Sequence, residues 1–196
     1  MPGVSLSRWT MAYFGAALVA LLVGEGLIVA GFGYPAMPAE APETLALVHI
    51  FTIGWLSLLL CGALFQFVPV LVAKPLYSDR LPLPALILLL AGLGLLICGF
   101  LVAPEAFPYA ATALFCGFAL MLYDLARTLW AARPLPLAAR FVVVALACLI
   151  LTVLLGALFS FNFAGLVEND ALLVLAANGL PLHVTAGLGG WLTLAA

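Results

Sequence analysis

Six stretches of this chain are apolar over most or all of the length needed to cross a bilayer, and its charges, Glu25 apart, lie in the short connections and span ends between them. The runs cover roughly residues 11–32, 44–72, 84–103, 108–131, 140–162 and 181–196. An α-helix rises about 1.5 Å per residue, so about 20 residues cross the hydrocarbon core. The first five runs are long enough. The expected architecture is all-α: one transmembrane domain over residues 1–196, built as a six-helix bundle. The sixth run has about 16 residues and stops at Leu194-Ala195-Ala196 with no charge, aromatic anchor or cap. That points to the front part of a longer protein, cut within its last span.

Composition excludes the other classes. Hydrophobic residues make up 67% of the chain and charged ones 7%, with a mean hydropathy of +1.34. A soluble domain carries about a quarter charged residues, so the partner of this surface is the lipid bilayer. A net charge of −2 leaves no basic face for nucleic acid. The first apolar run, at about 20 residues, exceeds the 7–15 or so of a cleavable signal and reads as an uncleaved span. Cys61, Cys98, Cys116 and Cys148 all lie within apolar runs without a Cys-x-x-Cys pair, which makes them packing residues.

Charge also orients the bundle. With the N-terminus inside, Arg8, Lys74, Arg80, Arg127, Arg133 and Arg140 all fall on the cytoplasmic side, while Glu40, Glu43, Glu105, Glu168 and Asp170 fall outside. This is the positive-inside pattern of a multi-pass protein of a bacterial inner membrane. Trp9, Tyr77 and Trp130 mark the inner interface, Tyr34 and Tyr109 the outer one. Asp124 and Arg127, three residues apart, form an expected local ion pair. In the outer connection 163–180, Asn169-Asp170 opens and Asn178-Gly179 closes a short apolar segment. It reads as a capped surface helix over about 170–178, placed to roof a site between spans two and six.

The chain has two histidines, and each lies near the outer end of a span. His49 leads into Gly54-Trp55-Leu56-Ser57-Leu58 and His183 into Gly190-Trp191-Leu192-Thr193-Leu194. Counted from the span ends, the two imidazoles share a depth to within about 5 Å. Imidazole inside hydrocarbon marks a functional site. Two facing rings can clamp one metal or one haem, each with its second nitrogen bonded to an acceptor. Gly54, Gly187, Gly189 and Gly190 would leave room for a flat macrocycle, and Trp55 and Trp191 would pack on it. Five residues separate His49 from Trp55 and seven separate His183 from Trp191, so the two indoles do not fall on equivalent faces. Glu25, between Gly24 and Gly26 inside span one, is a further candidate: an acceptor for the spare N–H of His49, a proton relay, or a third ligand in a His/His/Glu site. A neutral Glu25 bonded to a backbone carbonyl is the alternative. For the histidines the alternative is bonding across helices.

The run Val48-His49-Ile50-Phe51-Thr52-Ile53-Gly54-Trp55-Leu56, with Cys61-Gly62-Ala63-Leu64-Phe65 and Val68-Pro69-Val70 behind it, resembles the second helix of haem-copper oxidase subunit I. Lys74-Pro75, Asp79-Arg80 and Ala91-Gly92-Leu93-Gly94 match the basic loop and Gly-rich third helix that follow there. The resemblance implies haem b ligated by His49. It extends more distantly to nitric-oxide-response haem proteins of the NnrS type, which share a histidine–glycine second helix. His183 falls in the span where the oxidases place a copper-ligating histidine, but Val184 follows it and Gly187 stands where their tyrosine would be. Copper would therefore need ligands from outside this chain.

Three functions follow as expectations. The first is a haem-binding membrane protein related to the catalytic subunit of haem-copper oxidases or nitric oxide reductases, acting in electron transfer with a quinol or cytochrome donor and other subunits. It would be an oxidoreductase only if further metal ligands are supplied. The second is a non-enzymatic haem or metal sensor, carrier or assembly factor. The third is a proton-coupled transporter using Glu25.

Overall fold

The first span begins where Ser7 can cap it: its hydroxyl accepts from the Thr10 N–H, and α1 runs Arg8–Val29. The computed structural model describes residues 7–196, and all the regular structure in them is helical. Span two is a continuous helix, Pro42–Val72, in three parts. These are α2 (Pro42–His49), a π-helical segment here called π1 (Ile50–Ser57), and α3 (Leu58–Val72). Spans three to five follow as α4 (Pro82–Leu101), α5 (Phe107–Ala131, entered through a short 3₁₀ turn) and α6 (Leu137–Phe163). Asn169 caps α7 (Asp170–Asn178), accepting from the Ala171 and Leu172 N–H groups, as its position before Asp170 predicts. The chain ends in α8 (Leu180–Val184), a second π segment, π2 (Thr185–Leu192), and α9 (Thr193–Ala195).

Five of these helices are long and apolar enough to cross a membrane. The last run qualifies only together with α7, from which it is bent by 60°. The main core cluster draws Tyr13, Leu58, Cys61, Leu89, Met121, Leu149 and Trp191 from all six apolar runs, and a smaller one gathers Leu96, Phe107 and Ala110. The outward faces carry large apolar side chains such as Leu22, Val70, Ile87 and Leu154, as lipid contact requires.

The α4–α5 pair is sealed by small residues. A Cβ on Gly92 would lie 2.7 Å from Leu114 Cγ, and one on Gly117 would lie 2.9 Å from Leu89 Cγ. Such positions let helices approach closely in lipid, where packing rather than water drives association. Gly94, two residues beyond Gly92 on α4, faces open space instead.

The basic end of the bundle is tied by polar contacts. The Trp9 indole donates to the Asp79 carbonyl at 2.7 Å, and the Tyr77 N–H donates to Thr128 Oγ1 at 2.9 Å. The expected Asp124–Arg127 ion pair does not form. Asp124 is fully buried and turns inward to accept from the Ser78 N–H at 2.9 Å, leaving its other oxygen without a partner. The Arg127 guanidinium instead lies over the Tyr77 ring, 4.7 Å from its centroid. Arg8 over Trp9 and Arg133 over Trp130 repeat the arrangement at 4.2 and 3.5 Å. In all three the cation rests on the face of an aromatic ring.

Candidate functional site

Span two and the sixth apolar run, here numbered span six for its place in the sequence, do not close on each other along their length. Between them lies a cavity of about 500 Å³, walled by α2–π1, α4, α5, α6 and the α7–α8–π2 run. This size falls within the range of small-molecule and cofactor sites, about 300–1,000 Å³. The wall is predominantly apolar, with Leu96, Phe100, Leu149, Phe159 and Phe163 prominent. Its few polar side chains are His49, Thr52, Ser57, Thr152, Ser160, His183 and the Trp191 indole. Helix α7 contributes Ala176 and Ala177.

Both histidines line this one cavity, and each is held by a backbone carbonyl. His49 Nδ1 lies 2.7 Å from the Leu45 oxygen one turn back on its own helix. His183 Nδ1 lies 3.0 Å from the Thr152 oxygen, on α6. A carbonyl can only accept, so in both rings Nδ1 carries the proton and Nε2 keeps its lone pair. The hydrogen bond also fixes each ring's rotation, as the outer partners of metal-bound histidines do. Each ring also has an aromatic neighbour. His49 lies against Phe100 with ring centroids 5.4 Å apart and planes 32° apart, while Phe159 meets His183 edge-on at 5.4 Å. The carbonyl held by His183 belongs to a residue whose own hydroxyl bonds back to the Cys148 oxygen at 2.9 Å. Gly156 makes the room: a Cβ there would sit 3.2 Å from His183 Cε1.

Of the other expected site residues, Trp191 lines the cavity and is almost fully buried (2% exposed), its indole N–H donating to Ser57 Oγ at 2.9 Å. Gly187 lines it as well. Trp55 does not. Contrary to the expectation that it would pack on a cofactor, it packs against the core, its ring meeting Phe51 edge-on at 6.0 Å; the unequal His–Trp spacing separates it from the face of Trp191. Gly54 does not open space for a ligand either: a Cβ there would lie 2.9 Å from both Ala20 Cβ and Leu93 Cδ2, so it serves the approach of α1 and α4. Gly190 likewise faces Cys148, and Gly189 is not part of the wall. Glu25 sits exposed on α1 and does not line the cavity, and no group of three His, Cys, Asp or Glu side chains gathers anywhere among the described residues. The expected His/His/Glu centre is therefore not assembled; the helix turns the carboxylate outward while Gly24 faces Phe51.

Sequence reasoning missed Thr152, Phe100, Phe159 and the role of Ser57. Gly156 carried a signal: it stands four residues before Ser160, and small residues at that spacing mark close helix approach in lipid. Thr152 carried none, because its contribution is a carbonyl that any residue would supply.

No family model matches the chain, and no curated protein or solved structure is significantly similar to it.

Proposed function

We propose that this chain is a multi-pass membrane protein that holds haem b between His49 and His183 and uses it in electron transfer. On this reading it is related to the catalytic subunit of haem-copper oxidases or nitric oxide reductases. It would reside in a bacterial inner membrane, with six spans, a cytoplasmic N-terminus and a quinol or cytochrome as donor. The observation that carries the reading is the pair of imidazoles on one apolar cavity, each with Nδ1 bound to a carbonyl and Nε2 left as a donor lone pair.

The residues suit the group. Two neutral imidazoles are the axial set of a b-type haem in a helix bundle, and aromatic and aliphatic walls suit its faces. When bound, haem supplies a one-electron iron couple. The chain's part is to fix both ligands, exclude water and set a low-dielectric surrounding, each of which tunes the potential. No Lys or Arg lines the cavity, so the carboxylates of the macrocycle would have to find polar surroundings outside it. With both histidines of the chain engaged, this chain leaves no coordination position open, which favours electron transfer over gas reduction.

The test is the absorption spectrum of the detergent-purified protein, with and without added haemin. The expected result is a Soret band of a six-coordinate low-spin haem, lost in His49→Ala and reduced to a five-coordinate form or lost in His183→Ala. Carbon monoxide should leave the wild-type reduced spectrum unchanged. A carbon monoxide shift would instead favour a sensor or catalytic site with an open position. Absence of any Soret band after reconstitution sinks the haem reading.

A further inference from the structure

The two π segments are related in a way that the Gly-Trp-Leu repeat conceals. π1 starts directly after His49, and π2 starts two residues after His183. π-helical turns are rare and concentrate at functional sites. Here the segments are joined by one hydrogen bond, from the Trp191 indole N–H to Ser57 Oγ at 2.9 Å. Ser57 is eight residues after His49, and Trp191 is eight residues after His183. The structural counterpart of Trp191 is therefore Ser57, not Trp55. All four residues line the same cavity.

Equal spacing has a geometric consequence. Eight residues are about two helical turns, so each tie residue lies on the same side of its helix as its histidine and at a similar distance along it. A bond between the two tie residues then sets the two imidazoles level. Slippage of either π segment by one residue would break the bond and turn the histidine on that helix away from the cavity. The bond is built to resist that: Trp191 is 2% exposed and Ser57 5%, and an indole N–H that loses its acceptor in a dry interior finds no water to replace it.

We propose that the Trp191–Ser57 hydrogen bond is a register lock that holds His49 and His183 at one depth facing one cavity, making Ser57 and Trp191 positioning residues. The use of that alignment for haem rests on the function proposed above; the alignment itself does not.

Because the chain has two histidines, histidine-selective ¹⁵N labelling in proteoliposomes gives one pair of ring-nitrogen signals for each site and needs no cofactor. Expected are shifted or doubled imidazole signals in Ser57→Ala and Trp191→Phe, and a return to the wild-type signals in Ser57→Thr, which restores the hydroxyl. Leu89→Ala, a buried truncation away from the cavity, should leave the signals in place. Haemin titration of the same variants should show binding weakened about tenfold or more in Ser57→Ala and Trp191→Phe. Unchanged imidazole signals in Ser57→Ala and Trp191→Phe overturn the lock, as does an equal change in Leu89→Ala. A wild type that takes up no haemin defeats the cofactor reading, and the ring signals still decide the lock.

Discussion

The α4–α5 interface and the gap between spans two and six show two ways of packing helices in lipid. At α4–α5 both helices are regular, and glycines take the side chains of the facing helix with no room to spare. Between spans two and six both helices carry π segments and the walls stand apart around about 500 Å³. An open, irregular interface costs stability that a sealed one does not, since lining atoms lose contacts they would otherwise make. The chain has the glycines and alanines to seal the second interface too. It keeps aromatic rings and two anchored imidazoles there instead, the arrangement on which the proposed function rests.

That contrast can be broken from the sealed side first. In Gly92→Ala the new Cβ would meet Leu114 Cγ at 2.7 Å and the Leu114 backbone nitrogen at 2.9 Å. A backbone atom cannot rotate aside, so α4 and α5 must separate. The expected loss is about 1–3 kcal/mol, read as a lower thermal midpoint in detergent. A variant as stable as wild type would show the α4–α5 seal to be looser than described.

Gly156→Ala probes the open side and should behave in the opposite sense. The added carbon would sit 3.2 Å from His183 Cε1, a side chain on the cavity wall that can give. Alanine gains about 1 kcal/mol of helix propensity over glycine, which offsets the crowding, so stability should change little. The cofactor should respond instead. Displacing His183 stretches its bond to the Thr152 carbonyl, and haemin binding should weaken about tenfold. Loss of stability without loss of haemin affinity would mean that Gly156 is a packing residue like Gly92.

The same contrast explains what the sequence made legible. The apolar runs, their breaks and the Asn169-capped helix were readable because each depends on composition and on local capping chemistry. That His49 and His183 line one cavity was in keeping with their matching positions near the span ends, since depth follows from counting residues along a helix. The π segments were not, because Ile50–Ser57 and Thr185–Leu192 have the composition of any apolar helix and differ only in which carbonyl each N–H chooses. The repeated Gly-Trp-Leu misled in detail: it drew Trp55 and Gly54 toward the site, whereas the structure pairs Trp191 with Ser57. Asp124 and Arg127 misled in the same manner. Their spacing permits an ion pair, but loop 73–81 offers the carboxylate a backbone N–H and the guanidinium an aromatic face.

Glu25→Gln should have the smallest effect of all. Glu25 lies exposed four residues before the end of α1 at Val29, about 6 Å along the helix axis, so its carboxylate is within reach of the interface and free of the cavity. Replacing a carboxyl group with no hydrogen-bond partner among the described residues should shift stability by less than about 0.5 kcal/mol. It should leave the haemin spectrum and the imidazole signals of His49 and His183 in place. A proton-coupled transporter that depends on this carboxylate would lose uptake in the same variant, and the two histidine variants would spare it. An uptake activity abolished by Glu25→Gln and retained in His49→Ala would therefore move the working centre of the protein from the gap between spans two and six to the exposed face of α1.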